Sequence, residues 1–132
     1  MKHLIIITAL SLSAAIQLLA EEPATEIKHT TGKDAKALLD AKDANITVVD
    51  VRTSEEFSEG HIAGAKNIDF RAADFADKLA ALDKSKPVLV HCGAGGRSTS
   101  SLETFKKLGF KTVIHLDGGF TSWVKAGQPV EK

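Results

Sequence analysis

Val88-Leu89-Val90-His91-Cys92-Gly93-Ala94-Gly95-Gly96-Arg97-Ser98-Thr99-Ser100-Ser101 reads as a strand, a tight loop and the start of a helix. Behind Pro87, the run Val88-Leu89-Val90 has the uninterrupted apolar, β-branched character of a parallel strand buried on both faces. Gly93, Gly95 and Gly96 follow, so the backbone can turn sharply and aim several N–H groups inward. Ser98 or a neighbouring hydroxyl is expected to cap a helix whose apolar face is Leu102, Phe105 and Leu108. Cys92, the single cysteine of the chain, then stands at a strand end, facing loop amides and a helix N-terminus. Both favour a thiolate over a thiol, which makes Cys92 a candidate nucleophile. A buried structural cysteine needs no glycine loop behind it, whereas an anion-binding turn does.

Strands and helices alternate on either side of this stretch. Ile27 belongs to a short edge strand, and Thr31 precedes a small amphipathic helix over residues 32–41. Ile46-Thr47-Val48-Val49-Asp50-Val51 is a buried strand by its β-branched content. Thr53 or Ser54 caps a short turn holding Glu55, Glu56 and Phe57, and Gly60 ends it. Residues 65–68 read as a short strand, and residues 72–82 as a helix with Phe75, Leu79 and Leu82 on one face. Gly109 closes the helix after the cysteine loop, and residues 110–116 form another strand. Gly118-Gly119 lead into a final helix around Trp123, ended by Gly127 and Pro129. This alternation predicts an α/β fold with a parallel sheet covered on both faces. Ligands of such sheets sit beyond the carboxyl ends of the strands. Cys92 lies at one such end and Asp50 with Arg52 at another, so the two segments can meet.

The 132 residues suffice for one domain with one core, and 43% apolar and 26% charged residues are those of an ordinary globular chain. Seventeen basic and 17 acidic side chains cancel, so no basic surface points to nucleic acid or an anionic membrane. The five histidines are dispersed without ligand spacing, so no metal site is expected. With no Cys-x-x-Cys, dithiol redox chemistry of the thioredoxin kind is excluded. The N-terminus differs in character from the rest. Met1-Lys2-His3 is positive, residues 4–20 carry no charge, and Glu21-Glu22-Pro23 breaks the run. This is the pattern of a signal peptide over residues 1–20, cleaved after Ala20, with an uncleaved membrane anchor as the alternative. Residues 21–132 are then a single exported domain, placed in the bacterial periplasm. In an exported chain an unpaired cysteine points to a reactive thiol or to intermolecular pairing.

Asp50-Val51-Arg52, Glu56-Phe57, Gly60-His61-Ile62, Gly64-Ala65 and Asn67-Ile68 together resemble the N-terminal signature of rhodanese domains. The loop from Cys92 to Arg97 matches the rest of that pattern, as do Leu116-Asp117-Gly118-Gly119, Trp123, Ala126-Gly127 and Pro129-Val130. The likeness runs over residues 27–130, in the family's order. It implies a five-stranded parallel sheet with helices on both faces, and a sulfurtransferase that works without a cofactor. Cys92 would be the sulfur carrier. It would take sulfane sulfur from a small anionic donor such as thiosulfate, become a persulfide, and pass the sulfur to cyanide or a thiol. Gly93, Ala94, Gly95 and Gly96 would form the amide cradle. Arg97 would hold the donor's anionic part or brace the loop against an acid, and Asp50 and Arg52 would support the loop. His61 would order a turn and Trp123 would fill the core. The chain would act as a monomer. Rhodaneses efficient with thiosulfate often carry basic residues within the loop, whereas here Arg97 is its only charge.

Two other functions compete. Arsenate reductases and phosphatases of a related fold place five residues between cysteine and arginine; here four intervene, which suits a sulfur atom better than a tetrahedral oxyanion. A persulfide carrier or binding module that hands sulfur to one partner protein would need the same loop.

Overall fold

The computed structural model describes residues 23–132, and the expected signal peptide over residues 1–20 lies outside them. Five strands pair side by side: β1 (Glu26–Thr30), β2 (Thr47–Asp50), β3 (Lys66–Asn67), β4 (Val88–His91) and β5 (Thr112–Leu116). The β-branched and apolar runs are those of β2, β4 and β5, while the outer β1 and β3 are largely polar. All pairings are parallel, in the order β1-β5-β4-β2-β3. Five helices alternate with them: α1 (Gly32–Asp40), α2 (Ser54–Glu59), α3 (Phe75–Ala80), α4 (Gly96–Leu108) and α5 (Gly119–Lys125). The α/β reading and the five-stranded parallel sheet are both present.

Period-two alternation divides the interior in two. Val49 on β2, Val88 and Val90 on β4 and Val113 on β5 face one side, with Phe75 and Leu79 of α3 and Phe105 of α4 packed over them. Val48, Leu89, Ile114 and Leu116 face the other, beneath Ala35 of α1 and Trp123 of α5. Central strands with both faces covered carry continuous apolar runs, which is why Val88-Leu89-Val90 reads so clearly. The same alternation sorts the polar strand ends. Cys92 continues the row of Val88 and Val90 on the α4 side. His91 continues the row of Leu89 towards α5, where its ring stacks on Phe120 with centroids 6.0 Å apart.

Helix ends follow local chemistry. Thr31 Oγ1 accepts from the Asp34 N–H at the start of α1. At α2, Thr53 and Glu56 cap each other's backbone in a full capping box. Gly109, at φ 80°, ends α4 in the left-handed conformation.

Several expected elements are shorter than the sequence pattern. The strands expected over residues 46–51 and 65–68 are regular only at Thr47–Asp50 and Lys66–Asn67, and a helix and a further strand lose their ends to turns. The helix expected over residues 72–82 is regular only at Phe75–Ala80, because it is flanked by single turns. The Ala72 N–H donates to Asp69 O, and the Leu82 N–H to Leu79 O. The strand expected over residues 110–116 begins at Thr112, because the Phe110 N–H is already given to Phe105 O in the closing turn of α4. Phe110 still enters the core, edge-on to Phe105 at 5.0 Å. The C-terminal segment is tied down by an antiparallel bridge between His61 and Glu131 and by the Trp123 indole N–H, which donates to Pro129 O at 2.8 Å.

Candidate active site

β4 delivers Cys92 to the carboxyl edge of the sheet, and the chain then turns within three residues into α4. Gly95 makes that turn at φ 122°, a conformation that side chains with a Cβ rarely adopt. Its N–H donates to Cys92 Sγ at 3.1 Å. The helix therefore starts earlier than a serine cap would place it. Gly95 is the N-cap, and no side chain caps α4. Ser98, expected as the cap, lies in the first turn and is fully buried, with its hydroxyl 3.4 Å from Cys92 Sγ. The positive φ at Gly95 lets the chain enter the helix directly from the loop, which leaves no room for an intervening cap.

Burial pushes the Cys92 thiol up. The Ser98 hydroxyl and the backbone N–H groups of Ser98, Gly95 and Ala94 outweigh it, and the thiol lies below its ordinary value. The loop's carbonyls are held on the opposite side. At the start of α5, the Phe120 N–H donates to Cys92 O at 2.8 Å and the Thr121 N–H to Gly93 O at 3.0 Å. Gly119 makes this approach possible. It sits at φ 60°, and a Cβ there would lie 2.6 Å from both the Cys92 and Gly93 carbonyl oxygens. His91 Nδ1 lies 3.0 Å from the same Cys92 oxygen. Desolvation holds the His91 ring well below its ordinary value, so it stays neutral, with Nδ1 donating. Its Nε2 is buried without a hydrogen-bond partner, 3.7 Å from Asp50 Oδ2.

Arg97 braces the loop. Its two terminal nitrogens meet the two Glu56 oxygens at 2.7 and 3.0 Å, a bidentate pair that ties α4 to α2. Arg97's hydrogen bonds are the main reason the Glu56 carboxyl is lowered from 4.5 to about 2. The stability this pair adds is present above pH 4.5 and lost as pH falls towards about 2. Of the two roles open to Arg97, the geometry favours the brace.

Asp50 and Arg52 form a second, buried pair behind the loop. Arg52 Nη2 donates to Asp50 Oδ2 at 2.7 Å and to Gly60 O at 2.7 Å. The guanidinium lies 4.1 Å from the centre of the Phe120 ring. The pair thus joins the end of β2, the end of α2 and the start of α5, and it does not line the opening over Cys92.

That opening is a depression of about 520 Å³ bounded by Cys92, Ala94, Gly96, Arg97 and Ser100, with Phe70 and Arg71 on its far wall. Arg71 comes from the loop after β3 and is exposed, and it forms no ion pair among the described residues. Arg97, the other cation at the depression, is already held by Glu56. Sequence reading passed over Arg71 because nothing in a run of turn residues after a two-residue strand marks a side chain as facing a cysteine twenty-one positions later. In sequence Glu56 is only a residue of the turn that Thr53 or Ser54 caps; the structure shows that it completes the capping box, and that it also clasps Arg97 depends on α2 and α4 meeting.

The histidines are not all dispersed. The register of β1 against β5 sets His29 beside His115. The Nδ1 atoms of both lie on Asp117 Oδ1, at 2.8 and 2.7 Å. One ligand atom from each of these three residues falls within 4.8 Å of the others, the one such grouping among the described residues. The shared carboxylate oxygen accounts for this convergence without an ion.

A strand-end cysteine in a ring of amides, braced by an arginine at the start of the next helix, defines a class of thiolate enzymes on parallel α/β sheets. Within that class, the chain belongs to the rhodanese-like domain family, whose pattern matches residues 31–126. It is similar to the thiosulfate sulfurtransferase GlpE of Pseudomonas aeruginosa, 42% identical over 76 residues, 58% of this chain and 67% of that protein. The GlpE of Pseudomonas fluorescens is 35% identical over 99 residues, 75% of this chain and 86% of that one. Among solved structures, a rhodanese-related protein from Thermoplasma volcanium matches with a TM-score of 0.68 at 30% identity, covering 79% of this chain and 97% of that one. A protein of unknown function from Rhodopseudomonas palustris, described as a possible tyrosine phosphatase, matches with a TM-score of 0.66 at 29% identity, covering 80% and 85%.

Gly119→Ala is expected to cost ~1–3 kcal/mol and to swing the Cys92 and Gly93 carbonyls off α5. The inward amides then lose their alignment, and the pH midpoint of Cys92 alkylation rises towards that of a free thiol. A midpoint equal to wild type would show that α5 does not hold the cradle. His91 makes a separate prediction. Its folded-state value is depressed below 6.5, so the unfolded chain binds the extra proton first and stability falls as pH drops below 6.5. His91→Gln should make that slope shallower by up to ~1.4 kcal/mol per pH unit, measured by urea unfolding between pH 7 and 5.

Proposed function

We propose that the protein is a sulfurtransferase that moves sulfane sulfur from thiosulfate or a similar anionic donor, through a persulfide on Cys92, to cyanide or a thiol. Membership of the rhodanese-like family and its sulfurtransferase relatives support the general class. The observation that carries the particular reading is the Cys92 sulfur held by the Gly95 N–H and the Ser98 hydroxyl at the floor of an open depression.

The chemistry balances without a general base. The Cys92 thiolate attacks the outer sulfur of thiosulfate, the S–S bond of the donor breaks, and sulfite leaves with the bonding pair. Cys92 then carries a persulfide whose terminal sulfur is anionic. Cyanide attacks that terminal sulfur, the Cys92 S–S bond breaks, thiocyanate departs and the thiolate is restored. A thiolate acceptor follows the same path and leaves as its own persulfide. Charge rests on sulfur throughout, so fixed amides and a helix start serve both half-reactions without reorganising. Arg71, with no carboxylate partner among the described residues, draws the sulfonate end of the donor to the rim. Arg97, already committed to Glu56, holds the loop in shape. Asp50 and Arg52 support it from behind through Phe120. The same proposal places residues 21–132 in the bacterial periplasm after cleavage at Ala20, on the charge pattern of the N-terminus.

Intact mass after exposure to thiosulfate should rise by one sulfur atom, and cyanide should reverse the gain. The same rise in Cys92→Ser would remove Cys92 from the mechanism. An aryl phosphate should not be hydrolysed, because four residues between Cys92 and Arg97 leave a ring fitted to one sulfur; hydrolysis abolished by Cys92→Ser would promote the phosphatase. A persulfide that forms but reaches neither cyanide nor a small thiol would favour the partner-protein carrier.

For Arg71→Ala, KM for thiosulfate should rise several-fold, in line with one lost ion contact worth ~1 kcal/mol, while kcat is little changed. An unchanged KM would take Arg71 out of donor binding.

A further inference from the structure

A line of hydrogen bonds runs from the Cys92 sulfur through the Ser98 hydroxyl, and the sulfur-transfer scheme makes no use of it beyond Ser98. Ser98 Oγ lies 3.4 Å from Cys92 Sγ and 2.8 Å from His115 Nε2. On the other edge of the same ring, His115 Nδ1 is 2.7 Å from Asp117 Oδ1. Ser98 is fully buried and His115 is 4% exposed, so water does not compete for these contacts. The fold aligns them by alternation. His115 stands beside Val90 in the β4–β5 register, on the α4 side of the sheet, under the turn that carries Ser98.

Proton counting gives this line a direction. Hydrogen bonds from His29, and next from His115, hold the Asp117 carboxyl below its usual range despite the opposing effect of burial. Asp117 is therefore an acceptor only, and His115 Nδ1 must be its donor. A neutral His115 then has a bare Nε2, which accepts the one hydrogen of Ser98. A protonated His115 carries a hydrogen on Nε2 as well. It donates to Ser98 Oγ, whose own hydrogen must turn elsewhere. Gly95 O, 3.1 Å away, already accepts from the Thr99 N–H at 3.0 Å and the Thr99 hydroxyl at 2.7 Å. The remaining acceptor is Cys92 Sγ.

We propose that His115 is a positioning residue for the cysteine: its protonation state, with Nδ1 fixed by Asp117, decides whether the Ser98 hydroxyl donates to Cys92 Sγ. With His115 protonated, Cys92 Sγ receives that hydrogen bond, which favours its departure as thiolate when sulfur passes to the acceptor. With His115 neutral, the thiolate keeps only its backbone donors and attacks the sulfur donor more readily. The two half-reactions are thus weighted oppositely by pH. This meaning for catalysis rests on Cys92 being the sulfur carrier; the coupling itself does not. The charged or titratable groups around the ring are His29 from β1, His91 from β4, Cys92 in the loop and Asp117 beyond β5, with Arg97 in the first turn of α4 already paired to Glu56.

The test is the titration of the His115 ring nitrogens by NMR in the full-length protein, before and after Cys92 is blocked with iodoacetamide, which leaves an uncharged thioether. In wild type, blocking should lower the His115 midpoint by on the order of one pH unit. In Ser98→Ala the hydroxyl link is gone and only through-space attraction remains, so the shift should fall to less than half. No shift in wild type, or an equal shift in both proteins, overturns the proposal. Asp117→Asn offers a second measurement that leaves the buried serine in place. Losing the carboxylate charge should move the His115-linked step in the Cys92 alkylation profile to lower pH, and an unmoved step also overturns it. Neither readout requires sulfur transfer, so a failure to form the persulfide and a failure of this coupling are separate results.

Discussion

The structure depends on a division of labour at the cysteine loop between carbonyls and amides. A peptide turn that points N–H groups inward must point C=O groups outward, and those oxygens need donors if they are not to be buried unpaired. The first amides of α5 supply them. Phe120 and Thr121 take the Cys92 and Gly93 carbonyls, and Gly119 alone allows the two backbones so close. With the oxygens satisfied there, Gly95 and its neighbours are free to face the sulfur. The anion site is therefore built by two helix starts, one donating towards the sulfur and one holding the loop from behind.

Around that point the charged residues are arranged to hold position rather than to react. Glu56 and Arg97 clasp α2 to α4, Asp50 and Arg52 join β2 to the end of α2, and Phe120 lies against both Arg52 and His91. A buried pair such as Asp50–Arg52 contributes little net stability, because desolvation offsets its attraction, but removing one partner leaves a charge stranded. Its worth here is geometric. Arg52 also donates to Gly60 O, which fixes the end of α2 and hence the carboxylate that braces Arg97. The proposed movement of charge between sulfur atoms asks for fixed backbone dipoles, and the amides beside Cys92 are placed to supply them.

Elements whose signal is local could be read from the chain. The continuous apolar run of β4, the capping box of α2, the left-handed stop at Gly109 and the strand-helix alternation all report on neighbours within a few residues. The strand-end cysteine followed by a glycine turn belongs with them, since a parallel strand buried on both faces leaves its loop at the sheet edge as the place for chemistry. The boundaries that came out shorter, at α3 and β5, were set by hydrogen bonds given to turns instead of to the regular element. The helix start at Gly95 in place of Ser98 has the same origin: a positive φ that composition permits but does not require.

The sequence by itself determined that the chain is a parallel α/β domain with its one cysteine at a strand end before a glycine turn, because hydrophobic period, glycine placement and helix caps are properties of contiguous residues. What faces that cysteine was decided by the tertiary structure. Arg71 reaches the depression because β3 lies at the sheet edge beyond β2, and Glu56 meets Arg97 because α2 and α4 end at the same corner. His29 and His115, 86 positions apart in sequence, share Asp117 because β1 pairs with β5 in one register and no other. A one-residue slip would turn His29 to the opposite face, for side chains alternate along a strand. Register, strand order and the crossing of helices are set by the whole core at once, and no local pattern carries them.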